Sequence, residues 1–416
     1  MRRACRVLGS QTSKTLNSIV RRILPVCLAA LSMVSVRSYC GNRLDSLASN
    51  ALTVAVRHLE RSVSEVGDST LFPTHATSGL KWKLRKADDW TAGFYGGCLW
   101  YAYEASKDPR FAVWARRWTE SLEKQKDNPA THDLGFKMFC SYGNGLRLMG
   151  AAAPKEYRDI LLESALTLSR RYSPVTGCLS SNWDRVNDEN SFPMIIDIMM
   201  NLELLLWASE NGGPAYYADY ARSHALAASR DLVRADGSTY HCVRYDKRTG
   251  KVISKGTLQG EGDETTWSRG HAWGIYGMVM MYRYTKDTRF LDTAVRLADY
   301  FLAHLAPDHV APWDFQSGLD YRDASATSIT TSALFELFRY VKDPAASARY
   351  RHEAETMLSS LCSIPYFLPN DSTSCILDHS VQDLPRHSNV DVPNIFADYY
   401  FLEALLRYRD MRKADG

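Results

Sequence analysis

LWYAYEASKDPRFAVWARRW, at residues 99–118, joins two helices of different character through a short polar turn. The first half is apolar on every face, whereas the second half has apolar positions at helical spacing with charged residues between them. Similar hairpins recur as MYRYTKDTRFLDTAVRLADYF at 281–301 and LFELFRYVKDPAASARYRHEA at 334–354. Such repetition of one supersecondary unit indicates a repeat architecture.

Division of the chain at its polar turns predicts two sets of six helices. One set is amphipathic and covers roughly 45–65, 109–126, 154–171, 215–233, 288–305 and 344–362. The other set is apolar nearly all round and covers roughly 92–106, 133–149, 194–209, 268–285, 323–341 and 396–409. Because a helix without a polar face must be buried, the pattern predicts an all-α fold, an (α/α)6 barrel with an inner and an outer ring. An open solenoid would fit the repeat, but it would not need every second helix so apolar.

One stretch interrupts the helical pattern. Residues 235–260 read as a β-hairpin that turns at Lys247–Gly250 and precedes the fourth inner helix. We expect this small insertion to wall a pocket.

The first 44 residues differ from the rest of the 416-residue chain. They carry eight basic residues and no acid, so the remainder is mildly acidic although the whole chain has a net charge of +3. An acidic body argues against a nucleic-acid binder. Arg21 and Arg22 precede an apolar run at 23–31, which is the pattern of a signal peptide. We predict residues 1–44 to be a targeting segment, disordered or cleaved, and residues 45–416 to be a single barrel domain.

The location of the protein and the state of its cysteines stay open at this stage. A secretory route is favoured, and a mitochondrial or cytoplasmic location is the alternative, because the segment is also rich in Arg and Ser and free of acid. The apolar run is too short for a membrane span. Six cysteines follow the targeting segment, and none forms a CxxC pair of the kind that zinc sites use. Cys362 and Cys375 could pair across a short loop in an oxidising compartment.

Two acidic residues stand out at the starts of predicted inner helices. In an (α/α)6 barrel the inner helices run in one direction, so their first turns meet at a common rim. Asp197 is flanked by isoleucine and methionine, where burying a carboxylate is costly, and we expect burial to raise its pKa, as suits a general acid. Asp133 begins another inner helix. A structural role for Asp197 and a helix N-cap for Asp133 are the alternatives.

Several further side chains are candidates for substrate binding at the same rim. Trp90, Trp267 and Trp273 could stack on sugar rings, although core packing is common for any single tryptophan. Arg269 sits in an apolar stretch and needs an anionic partner, either an internal acid or a substrate carboxylate. His132, His241, Gln259 and Tyr399 complete this predicted set, each as a weak signal by itself.

Six segments together resemble the unsaturated glucuronyl hydrolases of glycoside hydrolase family 88. They are DWTAGFYGGCLWYAYEAS, THDLGFKMFCSYGNGLRL, IIDIMMNLELLLWASE, TLQGEGDETTWSRGHAWGIYG, WDF with RDASATSIT, and DYYFLEALLR. The resemblance implies an (α/α)6 barrel that hydrates the 4,5-double bond of a terminal uronate left by a polysaccharide lyase. His271 stands where glutamine is common in the family.

The resemblance also implies roles for individual residues. Asp197 matches the general acid/base of the family, and Asp133 matches the second essential aspartate. Substrate-contacting positions are matched by Trp90, His241, Gln259, Trp267, Arg269, Trp273 and, less securely, Tyr399. No metal or organic cofactor is implied, and the expected partner is an oligosaccharide that contains an unsaturated uronate, with no nucleic acid and no membrane for the mature domain. The oligomeric state stays open.

Two other functions compete with this hypothesis. One is an unsaturated rhamnogalacturonyl hydrolase acting on pectin fragments, which shares the barrel but matches HDLGF less well. The other is a non-catalytic glycan-binding barrel, against which the presence of both Asp133 and Asp197 argues.

Overall fold

Twelve α-helices lie in the described parts of the computed structural model, residues 43–181 and 188–415. They are α1 (43–66), α2 (Ala92–Ser106), α3 (Pro109–Glu120), α4 (Asn144–Met149), α5 (Lys155–Ser169), α6 (Leu202–Glu210), α7 (Tyr216–Asp231), α8 (Ser268–Thr285), α9 (Thr288–Ala303), α10 (Ala324–Leu337), α11 (Pro344–Leu361) and α12 (Ile395–Asp415). Apart from residues 43 and 44, which are helical, the predicted targeting segment lies outside the described residues. The described residues from 50 onward form one compact unit.

The even-numbered helices form a closed inner ring. Each inner helix contacts the next one, either directly or through the irregular segment that precedes α4 or α6. The ring closes where α12 packs against α2. Fourteen of the fourteen residues of α10 are buried, whereas the outer helix α9 buries one face only. The predicted (α/α)6 barrel is therefore confirmed, with burial of apolar inner helices as its physical basis.

Lys-Asp pairs set the turns between inner and outer helices. Lys107 and Lys286 adopt left-handed conformations, with φ of 60° and 55°, at the C-terminal ends of α2 and α8. The next residue, Asp108 or Asp287, accepts a backbone N–H of the following helix as its N-cap. The repeated KD motif thus stops one helix and starts the next.

Two inner helices begin irregularly, where the sequence predicts regular helix. A π-helix, Gly135–Gly143, precedes α4, and a 3₁₀ segment, Ile196–Asn201, precedes α6. A Cβ atom at Gly135 would lie 2.5 Å from the Cα atom of Asn201, so glycine permits this close approach. The irregular starts belong to the two segments that carry the predicted catalytic acids.

The described residues also include seven short strands. They are β1 (Phe72–Ala76), β2 (Trp82–Arg85), β3 (Tyr172–Ser173), β4 (Cys178–Leu179), β5 (Ser191–Ile195), β6 (Cys242–Asp246) and β7 (Val252–Gly256). The predicted hairpin is present as β6 and β7, which pair antiparallel. The sequence missed that β5 adds to it as a third strand in the order β5-β6-β7.

Two further findings concern the cysteines and the helices. All six cysteines of the described residues, including Cys362 and Cys375, are free thiols. Within the same residues, none of the helices combines the length and the apolar character needed to cross a membrane.

Candidate active site

A cavity of about 400 Å³ opens where the starts of several inner helices meet the loop that precedes α12. Its lining residues come from distant parts of the chain. They are Trp90, Ala130, Thr131, His132, Asp133, Phe136, Ile195, Asp197, Gln259, Arg269, Gln382, Asp383, Arg386 and Ser388. Six of the ten predicted site residues are therefore brought together, both acids among them.

Asp133 lies just before the π-helix, and its side chain is 13% exposed, so the carboxyl group is mostly buried yet reaches the cavity. His132 Nε2 lies 3.5 Å from one carboxyl oxygen. The N-cap alternative is not supported, since the first-turn N–H of Phe136 donates instead to Asn201 Oδ1 at 3.0 Å. The Asp133 carboxyl group is thus free of a capping role.

Asp197 is held by a histidine from the β-sheet. The side chain is 14% exposed, and its Oδ2 atom lies 3.3 Å from His241 Nε2. Pairing of β5 with β6 produces this contact, because Asp197 follows β5 and His241 precedes β6. His241 Nδ1 accepts the backbone N–H of Leu258 at 3.2 Å. That bond assigns the proton of the neutral imidazole to Nε2, facing Asp197.

The two acids differ in their electrostatic surroundings. Burial raises the pKa of Asp133, and the negative charge of Asp197 adds to that rise. Burial acts in the same direction on Asp197, but the hydrogen bond and electrostatic attraction of His241, assisted by Arg269, hold its pKa below the ordinary value. The expected rise for Asp197 is therefore wrong, because the sequence did not reveal that strand pairing delivers His241.

Asn201 connects the two acid-bearing segments. It is fully buried, its Oδ1 accepts Phe136 N–H, and its Nδ2 lies 3.5 Å from the backbone oxygen of Asp197. A side-chain hydrogen bond from Asn201 also lowers the pKa of Asp133, against the larger effect of burial. One uncharged amide therefore contacts the segments of both carboxylates.

Gln259 and Arg269 line the cavity, but their polar atoms hold a loop. Gln259 Nε2 donates to the carbonyl oxygen of Gln382 at 2.7 Å, and Arg269 Nη2 donates to the same oxygen at 2.6 Å. Arg269 Nη1 donates to the carbonyl oxygen of Val381 and lies 3.3 Å from Asp323. Of the two partners predicted for Arg269, the structure provides the internal acid.

Two of the predicted tryptophans are packed in the core and do not line the cavity. Trp267 is 3% exposed and packs with Trp313 and Val381, with its ring stacked on His241 at 4.4 Å. Trp273 is fully buried, 5.1 Å from the ring of Phe136. Both support residues that reach the cavity, and this is the core alternative that the sequence left open.

Tyr399, which was also predicted to bind substrate, does not line this cavity. It lies one turn inside α12, is 5% exposed, and its hydroxyl group contacts Tyr101 at 3.2 Å and Asn144 at 3.0 Å. It lines a different cavity, of about 650 Å³, together with Glu403 and Arg407. Because Tyr399 lies one turn inside its helix and not at the helix start, its side chain does not reach the catalytic cavity.

The sequence missed the loop that closes one side of the cavity. Gln382, Asp383, Arg386 and Ser388 line it, and Arg386 pairs with Asp383 at 2.6 Å. The segment 378–394 is rich in Asp, Asn, Ser and Pro, which indicates a loop without locating it. Its position depends on Arg269 and Gln259, which are distant in sequence.

The described residues hold no group of three or more His, Cys, Asp or Glu side chains arranged to bind a metal ion.

Comparison with known proteins identifies the family of this chain. Residues 68–363 match Glycosyl Hydrolase Family 88. An unsaturated glucuronyl hydrolase of Formosa agariphila is 40% identical over 329 residues, or 78% of this chain and 80% of that protein. An unsaturated chondroitin disaccharide hydrolase of Streptococcus pneumoniae is 32% identical over 368 residues, or 86% of this chain and 91% of that protein. The crystal structure of an unsaturated glucuronyl hydrolase specific for heparin superposes with a TM-score of 0.84 at 37% identity, covering 89% of this chain and 98% of that one. The chain therefore belongs to glycosyl hydrolase family 88 and is a glycoside hydrolase.

Proposed function

We propose that this enzyme removes the terminal 4,5-unsaturated uronic acid from lyase-generated oligosaccharides, with Asp197 as general acid/base and Asp133 as its partner. The main support is that both carboxyl groups line one cavity of about 400 Å³, although they come from different inner segments. The names of the relatives, which describe unsaturated glucuronyl and chondroitin disaccharide hydrolases, support the substrate class.

The reaction proceeds by hydration of a vinyl ether. Asp197 donates its proton to carbon 4, which leaves positive charge shared by carbon 5 and the ring oxygen. Water then adds to carbon 5 while the Asp197 carboxylate accepts one of its protons, so the acid is regenerated. The resulting hemiketal collapses and releases the shortened saccharide, with one water consumed per turnover.

Asp197 must carry a proton when substrate is bound, although its pKa in the empty cavity is held low. Binding of the substrate raises this pKa. A uronate carboxylate entering beside Asp133 and Asp197 adds negative charge, which raises the pKa of a neighbouring carboxyl group. Asp133 accepts hydrogen bonds from ring hydroxyl groups, and Trp90 lines the cavity wall.

Substitution of Asp197 tests the assignment most sharply. Asp197→Asn keeps the shape but has no acidic proton, so we expect kcat to fall by about 100- to 10,000-fold while the substrate still binds. Turnover is followed as loss of the ultraviolet absorbance of the double bond, and binding is followed by calorimetry.

Asp231→Asn is the matched control, because Asp231 is similarly buried, at 10% exposure, but pairs with Arg230 outside the cavity. Near-normal turnover by Asp197→Asn, or an equal loss in the control, contradicts the role of Asp197.

The alternative substrate, an unsaturated rhamnogalacturonyl fragment, is separated by rates. Initial rates on glycosaminoglycan-type, xanthan-type and pectin-type unsaturated disaccharides compare them directly. We expect the glycosaminoglycan-type substrate to be fastest, and fastest turnover of the pectin-type substrate would reverse the choice.

We also propose that residues 1–44 direct the protein to the secretory route, on the basis of Arg21, Arg22 and the apolar run that follows. Fusion of this segment to a reporter enzyme tests it, with export expected. Retention of the fusion inside the cell, or import into mitochondria, would contradict the proposal.

A further inference from the structure

A second cleft adjoins the catalytic cavity. Its volume is about 650 Å³, within the usual range of ligand sites. Gln382 and Ser388 line both spaces, so a saccharide that leaves the catalytic cavity past these residues enters this cleft. The opposite wall is the β1–β2 hairpin with the segment that follows it, and we call this space the adjoining cleft.

Two cations face the adjoining cleft. Arg85 ends β2 and Lys86 follows it, and both side chains are exposed. Counting residues 43–181 and 188–415, neither side chain forms a hydrogen bond or an ion pair. By contrast, the exposed Arg110 pairs with Glu60 at 2.7 Å. The exposed pair at the cleft is therefore available to an anionic ligand.

The acidic residues in the same wall already have local partners. The Asp89 carboxylate accepts the backbone N–H and the hydroxyl group of Thr91 at 2.9 and 2.7 Å. The buried ammonium group of Lys137 donates to the backbone oxygen of Asp88 at 2.6 Å and interacts with both acidic side chains. His75 also lines the cleft. Lys137 thus attracts both carboxylates from behind the wall, while Arg85 and Lys86 face the open side of the cleft.

We propose that the adjoining cleft binds anionic sugar units of the leaving saccharide, carboxylated or sulfated, beyond the sugar joined to the unsaturated uronate. This inference rests on the proposed function, because that function places the terminal uronate in the catalytic cavity. A disaccharide has one sugar beyond the unsaturated uronate and a tetrasaccharide has three, so we expect only the tetrasaccharide to pass Gln382 and Ser388 into the cleft. The enzyme is thereby selective for longer anionic fragments.

The test compares substrates of two lengths. Unsaturated disaccharide and tetrasaccharide are prepared from the same sulfated polymer, and kcat/KM is measured for wild type and for Arg85→Ser/Lys86→Ser. We expect the double variant to lose about tenfold in kcat/KM on the tetrasaccharide and to keep the wild-type value on the disaccharide. Lys81→Ser/Lys83→Ser, on the same hairpin but outside the cleft lining, is the matched control and should leave both values unchanged.

A binding measurement separates this inference from the proposed function. Calorimetry with a saturated, sulfated tetrasaccharide needs no turnover, and we expect the double variant to weaken Kd about tenfold at low salt. Equal effects on both substrate lengths, no effect on either, or absence of tetrasaccharide binding by the wild type would overturn the cleft assignment. Failure of the wild type to turn over either unsaturated substrate would instead refute the proposed function, and calorimetry would still decide the cleft.

Discussion

At the scale of single residues, the contact between His241 and Asp197 controls the proposed chemistry. Leu258 N–H fixes the histidine so that Nε2–H faces the carboxylate. Burial favours the protonated acid, whereas the contact with His241 favours the ionised acid, and the balance lowers the pKa of Asp197. A single histidine thus sets the pH at which the general acid loses its proton.

His241→Phe tests this balance. Phenylalanine keeps a ring for stacking on Trp267 but removes the Nε2–H donor, so burial should dominate and the pKa of Asp197 should rise. Because activity requires protonated Asp197, we expect the alkaline limb of the kcat/KM profile to move to higher pH, even if the maximal rate falls. An alkaline limb in the same place as that of the wild type would show that His241 does not tune Asp197.

At the scale of elements, the active site depends on two inner segments meeting through Gly135 and Asn201. Gly135 allows the two backbones to approach closely. The side-chain oxygen of Asn201 accepts a hydrogen bond from Phe136 N–H at the start of the π-helix. Asp133 lies close to Gly135 in one segment, and Asp197 lies close to Asn201 in the other. The separation of the acids is therefore set by packing between elements and not by either helix alone.

Asn201→Asp retains the acceptor for Phe136 N–H but replaces the amide donor with a carboxylate. We expect the pKa of Asp133 to rise, because a lowering hydrogen bond is lost and a negative charge is gained. The acid limb of the pH profile, where ionised Asp133 becomes protonated, should move to higher pH, and kcat should fall by about 10- to 100-fold. A change in KM alone, with kcat and the acid limb unchanged, would contradict this positioning role.

The elements also show what a sequence reveals. Apolar periodicity located all twelve helices because burial of a whole helix leaves a local signal, as in α8 and α10. It could not locate β5 in the sheet or the loop that carries Arg386, because both depend on partners far along the chain. For the same reason Arg269 was interpretable as a ligand for substrate until the carbonyl of Gln382 and the carboxylate of Asp323 were seen beside it.

At the scale of the whole molecule, buried histidines couple the barrel to pH. Burial lowers the pKa of His224 to about 3 and that of His271 to about 4. His224 Nδ1 accepts Leu179 N–H at 3.1 Å, and His271 Nε2 contacts the carbonyl of Leu297 at 2.8 Å. Both histidines are therefore neutral in the folded protein at pH values where the unfolded chain takes up protons.

Stability should fall as the pH decreases. Above about pH 6.5 both states bind equal numbers of protons at these sites, but below it the unfolded chain binds more. Each histidine then costs about 2 kcal/mol of unfolding free energy by pH 5. In His271→Gln, the residue common in the family, the stability difference between pH 7 and pH 5 in urea unfolding should shrink by about that amount. If the stability difference between pH 7 and pH 5 does not shrink in this variant, His271 does not contribute to the pH dependence.

The most direct test of the central claim uses a matched pair of disaccharides, one with the 4,5-double bond of the terminal uronate and one with that bond saturated. The released reducing sugar is quantified for both with the wild-type enzyme. Because Asp197 is proposed to protonate carbon 4 of a vinyl ether, the unsaturated member should be cleaved and the saturated member left intact. Comparable cleavage of the two would place the chemistry at the anomeric carbon and contradict the mechanism.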